Sequence, residues 1–174
     1  MSRFVALALV AGCLSFAPKS SAQQWNTHGM VEANAILNSL PPADRNGIVH
    51  KLHISAKNLR ALKLDTTSGP VFFVQGYGSE LCGATGNCSS WILADDYKVL
   101  LRGLAQTAKL LSALHNGRPD ILTGLHDSAT SSELTQWRFN GSRYVRYRCA
   151  LIEYEDLAVG LYKVPKGTPQ PCGN

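Results

Sequence analysis

The sequence predicts an α+β fold: an amino-terminal helix packed on an antiparallel meander sheet of about five or six strands, stapled by disulfides. Three observations predict it. A helical stripe near the start runs into a double proline. From residue 71 onward, short apolar and aromatic runs alternate with turn residues, as in an all-β region. Four cysteines remain once an amino-terminal export signal is set aside.

Met30, Ala33, Leu37 and Leu40 recur at spacings of three and four. This predicts a helix over 27–40, with Thr27 as its N-cap and Pro41-Pro42 as its stop. Ile48, Leu52 and Ile54 share one parity with His50, which predicts a strand over 48–54. Leu59 and Leu62 oppose Lys57, Arg60 and Lys63, which predicts a short helix or turn over 56–63, followed by a loop over 65–70. Strands are predicted over 71–75, 91–93, 97–102 and 120–126, whereas 105–114 fits strand or helix.

The clearest local signal is a hairpin over 134–151, with Asn140-Gly141 at its turn. Trp137 and Phe139 are odd-numbered, as are Val145, Tyr147, Cys149 and Leu151. Setting like parity on one face needs an odd number of loop residues. The prediction is a three-residue loop or a bulge, with Arg138, Arg146 and Arg148 together on the opposite face. The tail over 163–174 is rich in Pro and Gly and is predicted to be irregular, tethered by Cys172.

The amino terminus reads as an export signal. Arg3, an uncharged run over 4–16 and Ser20-Ser21-Ala22 supply the charged, apolar and small-residue cleavage regions. The run is shorter than the roughly 20 residues that a membrane-spanning helix needs. This assigns 1–22 to a signal peptide and 23–174 to a single α+β domain. A second route stays open. Val10-Ala11-Gly12-Cys13 resembles the lipobox of bacterial lipoproteins, which would make 1–12 the signal and place a lipid anchor on Cys13. Both routes leave Cys82, Cys88, Cys149 and Cys172. Of the three pairings, Cys82–Cys88 with Cys149–Cys172 is preferred, because each bond closes a short local segment.

Apolar residues at 45% and charged residues at 17% exclude a disordered chain and fit one core. The net charge of +5 falls to +3 when Arg3 and Lys19 leave with the signal. So mild a charge does not call for a nucleic-acid partner. Gly124-Leu125-His126-Asp127-Ser128 places three catalytic residue types in a row, but successive strand residues face opposite sides and no G-x-S-x-G turn is present. His50 and His53 would point apart on a strand, so no metal site is expected. Asp95-Asp96 and Glu153, Glu155 and Asp156 fall at strand ends or turns, where solvated acids are normal. No catalytic residue and no cofactor is expected.

Binding residues are easier to nominate. The small residues between Cys82 and Cys88 cannot pack a core, so the loop should protrude. A rigid protruding loop loses little entropy on docking. Thr85 and Asn87 on that loop, with Arg138, Arg146 and Arg148 on the hairpin, are the candidate contacts. Asn87-Cys88-Ser89 and Asn140-Gly141-Ser142 match the N-glycosylation pattern.

Two resemblances add to this. Asn116-Gly-Arg-Pro-Asp-Ile-Leu, followed by Trp137-Arg-Phe-Asn-Gly-Ser-Arg-Tyr144, resembles one blade unit of FG-GAP or VCBS-type secreted repeats. It implies a strand and a hairpin over 116–144. Arg118 stands where that family places an Asp, so none of the family's metal-binding residues is carried over. The overall design also resembles small exported inhibitors of bacterial hydrolases, such as lysozyme inhibitors. The expected function is an exported, non-enzymatic binding protein of the cell envelope or exterior, its ligand a protein or a glycan. The alternatives are an inhibitor of a secreted hydrolase and a secreted hydrolase.

Overall fold

The fold is that of a computed structural model, which describes residues 29–33, 37–128, 131–153 and Cys172. The predicted signal peptide, Cys13 and the tail over 163–174, Cys172 apart, lie outside the described residues. Among the described residues, eight strands form two four-stranded antiparallel sheets. The first is β1 (Leu59–Leu64), β2 (Val71–Gly76), β3 (Cys88–Ala94) and β4 (Val99–Ala105). The second is β5 (Thr107–His115), β6 (Arg118–Ser128), β7 (Ser131–Phe139) and β8 (Tyr144–Glu153). Each is a simple meander, with sequence neighbours paired. Among the described residues one α-helix, α1 (Pro42–Leu52), precedes them.

The predicted single sheet is therefore two sheets, and the reason lies at residue 106. The chain crosses from β4 to β5 through Gln106 alone, with no glycine or proline to announce a break. Hydrogen bonds hold the crossing. Gln106 N–H donates to Gly124 O, and Gln75 Nε2 donates to Ala105 O at 2.9 Å.

Strand alternation sorts the core into layers. In β2 every residue is buried, because both faces are covered. Val71 and Phe73 join Ile92, Leu101, Ala108, Ile121, Phe139 and Tyr144 between the sheets. Phe72 and Val74 point the other way, to Ile48 of α1, Leu59, Trp91 and Leu93. A third cluster, Leu122, Leu134, Ala150 and Ile152, covers the far face of the second sheet with Met30 and Leu111.

The helix sits later than predicted. Met30, Ala33, Leu37 and Leu40 are apolar at helical spacing, yet they enter three different clusters. They anchor a segment that runs across the fold rather than one helical face. Val31 bridges to Ala108, and Leu37–Ser39 is a single 3₁₀ turn. The proline pair read as a stop is a start: Pro42 occupies the first helical position, where its missing N–H costs nothing. Of the strand predicted over 48–54, residues 48–52 are the second half of α1. A separation of four residues, as between Ile48 and Leu52, satisfies both a period of two and a period near 3.6. The helix ends at His53, in the left-handed region at φ 55°, with its N–H on Val49 O. Residues 56–63 divide into a 3₁₀ turn, Ala56–Asn58, and the strand β1. Residues 105–114 are strand rather than helix, apart from the crossing at 106.

Both preferred disulfides are present, Cys82–Cys88 and Cys149–Cys172. No helix among the described residues is long and apolar enough to cross a membrane.

Candidate functional site

The sequence carries three Asn-Gly pairs. Asn46-Gly47 lies inside α1, and of the other two only one makes a two-residue turn. Asn116 and Gly117 have φ 49° and 81°, the positive pair that a type I′ hairpin requires. This turn sets His115 directly opposite Arg118. Asn116 Nδ2 donates to Phe139 O at 2.8 Å, which ties the turn to the end of β7. Asn140-Gly141 instead opens a four-residue loop between Phe139 and Tyr144. There Asn140 Oδ1 accepts from the N–H groups of Ser142 and Arg143.

A bulge then decides which arginines meet. Trp137 pairs with Arg146, but Gln136 pairs with Arg148, so Tyr147 is the extra residue. The predicted bulge exists, three pairs below the turn. Arg146 therefore shares a face with Trp137, its Cζ 5.6 Å from that ring and its Nη2 3.5 Å from Glu133 Oε1. Arg138 and Arg148 lie on the opposite face with Tyr147, their Cζ atoms 3.2 and 4.9 Å from its ring centroid. The expected trio of arginines is thus two arginines around a tyrosine. Arg146 is separated from them because the bulge restores odd–odd pairing only beyond Tyr147.

Under Arg138 lies Asp120, whose side chain is fully buried. A buried carboxylate is costly unless it is paired and hydrogen-bonded, and this one has three partners. His115 Nδ1 lies 2.6 Å from Oδ1. Gln136 Nε2 donates to Oδ2 at 2.7 Å, and Arg138 Nε stands 3.5 Å from the same oxygen. The Arg138 contact has ion-pair distance without hydrogen-bond alignment, for Nε is buried with no hydrogen-bond partner. Arg118 Nη1 is likewise buried with no hydrogen-bond partner among the described residues. Arg118 lies over Phe139, and its charge acts on Tyr144, whose hydroxyl donates to Pro119 O. Burial is the main cause that pushes Tyr144 up to about 12; Arg118 opposes that rise and Asp120 adds to it.

The loop candidates are placed differently from each other. Thr85 is exposed at the tip of the Cys82–Cys88 loop. Asn87 is not a free contact. Its Oδ1 accepts from His126 N–H at 2.9 Å and its Nδ2 donates to His126 O, so it clamps the loop to β6. Gly83 N–H donates to Asn87 O, and Ser89 N–H donates to Leu81 O, which closes the loop as a small hairpin.

The row His126-Asp127-Ser128 forms no relay. His126 Nδ1 faces Ser132 Oγ at 3.5 Å, whereas Ser131 Oγ donates to Asp127 Oδ2 at 3.1 Å. Asp95 and Asp96 accept turn N–H groups, from Asp96 and Lys98. Glu155 and Asp156 lie outside the described residues. His50 and His53 stand on or beside a helix rather than on a strand, with ring centroids 6.0 Å apart. The described residues include no group of three His, Cys, Asp or Glu placed to hold a metal.

Sequence reasoning missed His115, Asp120 and Gln136. The available signal was Asn116-Gly117: reading it as the two-residue turn sets His115 across from Arg118 and two residues from Asp120. Comparison with protein-family models, curated proteins and solved structures found no match.

Proposed function

We propose that the chain is an exported, non-enzymatic binding protein of the cell envelope or exterior, with a protein or glycan as ligand. The observation that carries this reading is the double anchoring of the Cys82–Cys88 loop. The disulfide closes it and the Asn87 amide fixes it to His126. Its tip, residues 83–86, stays exposed. A contact element held in one conformation before binding has little entropy left to lose. The disulfides fit an oxidising compartment.

The test is capture by the immobilised exported chain from a glycan array and from a set of secreted proteins. A specific ligand should lose at least tenfold in affinity when Thr85→Trp crowds the tip. No specific capture in either set would remove the reading. A narrower second reading, inhibition of a secreted hydrolase, is favoured by the same closed loop, which has the form of an element that enters a cleft. Absence of inhibition across lysozymes and proteases would set that second reading aside.

A further inference from the structure

At the end of the second sheet one arginine stands on a buried carboxylate, and two more lie over neighbouring aromatic rings. Arg138 is held from below by Asp120 and stacked on Tyr147; Arg148 contacts the same ring; Arg118 flanks the turn. Among the described residues, Arg118 and Arg138 each keep a guanidinium nitrogen buried without a hydrogen-bond partner, and such groups are costly enough to require an explanation. His115 and Arg138 side chains are each 33% exposed, so the patch is rigid from beneath and open above. Asp120 neutralises the Arg138 guanidinium, and Arg118 adds a positive charge beside that pair.

We propose that this patch binds the carboxylate groups of an acidic glycan, with Arg138 and Arg148 as the contacts and Asp120 as the residue that positions Arg138. The inference rests on the reading of the chain as a binding protein and narrows its ligand. A planar guanidinium matches a carboxylate through two parallel hydrogen bonds. The composition of the patch favours a sugar chain over a protein. A protein interface needs an apolar centre within a burial of roughly 1,200–2,000 Å². The exposed large apolar residues among the described ones, Tyr77, Leu104, Leu114 and Leu151, come from four separate segments, and none belongs to this cluster.

Calorimetric titration of the exported chain with oligogalacturonate tests this, with neutral oligogalactose, oligoglutamate and inorganic phosphate as the other arms. Oligogalacturonate should bind, and more weakly as salt rises. Arg138→Gln should weaken binding at least tenfold, and Arg138→Lys should not restore it. Arg102→Gln, on β4, should leave it unchanged. If Arg138→Gln fails to fold, Arg148→Gln supplies the same test, because it leaves His115, Gln136 and Arg138 on Asp120. No heat with oligogalacturonate, equal binding of the neutral chain, or indifference to both arginine variants would overturn the proposal. Equal or tighter binding of oligoglutamate would reassign the patch to an acidic protein. Equal or tighter binding of phosphate would reassign it to a free oxyanion. If oligogalacturonate binds but Thr85→Trp affects no ligand, the loop reading fails while this one stands.

Discussion

Asn87 holds the backbone of His126 from both sides, accepting its N–H at Oδ1 and donating to its carbonyl from Nδ2. A side chain thus does what a neighbouring strand would do, and it joins the loop before β3 to the second sheet. Asn87→Ala removes both bonds and should destabilise the chain by about 1–3 kcal/mol. Urea unfolding measures this. A midpoint equal to that of the wild type would show that the clamp contributes nothing.

The same clamp separates the two glycosylation patterns. Asn87 uses the amide nitrogen that a glycan would occupy. The side-chain hydrogen bonds of exposed Asn140 are accepted at Oδ1. In a eukaryotic secretory host, the folded chain should carry glycan at Asn140 and not at Asn87. Peptide mass spectrometry decides, and a glycan on Asn87 of the folded, disulfide-bonded chain would contradict the clamp.

How much of this was legible in the sequence depended on distance along the chain. Turns and strands declare themselves within a few residues, so the strands over 71–75, 91–93 and 120–126 and the hairpin over 134–151 were readable. Both disulfides were preferred for the same local reason. What failed was set by tertiary partners. Met30, Ala33 and Leu37 have a helical spacing, but their destinations in three clusters appear only when the sheets exist. The Asp120 site joins β5, β6, β7 and β8. No short window contains His115, Gln136 and Tyr147 together, and the bulge that turns Arg146 away depends on pairing across the hairpin.

Gly47 lies under the Tyr97 ring, and a Cβ there would come within 2.2 Å of ring atoms. The ring is held in place, since Tyr97 Oη donates to Asp44 Oδ1 at 3.0 Å. Gly47→Ala should gain helix propensity yet destabilise by a net 1–3 kcal/mol or so, through overpacking. The double variant with Tyr97→Ala should recover part of the loss. Thermal unfolding reads both, and a single variant more stable than the wild type would refute the packing argument.

Tyr144 should ionise late. Its folded value of about 12 lies above the ordinary tyrosine value of 10.0. Between these values the folded chain keeps a proton that the unfolded chain releases. This contribution to stability is therefore whole below pH 10 and is lost as pH climbs towards 12, a loss on the order of 2 kcal/mol. Absorbance titration near 295 nm should show a late tyrosine step that vanishes in Tyr144→Phe. If that variant leaves the titration curve unchanged, burial does not hold the proton.

Asp120 gives the sharpest contrast between a structural and an idle carboxylate. It has no exposed side-chain surface, and its oxygens face His115, Gln136 and Arg138. Asp120→Ala removes the carboxylate and strands Arg138 beside a cavity, with one cation uncompensated. Breaking such a pair from one side costs about 3–5 kcal/mol when both partners are buried. Arg138 is one-third exposed and can turn towards water, so the loss here should be nearer the lower end. Asp120→Asn keeps the shape and an acceptor, and should cost less. Replacing Asp120 and Arg138 together, as Asn and Gln, should cost less than the two single losses added, because each single variant leaves the other partner unmatched. Additive losses in this cycle would mean that Asp120 does not hold Arg138, and the guanidinium would then owe its position to Tyr147 alone.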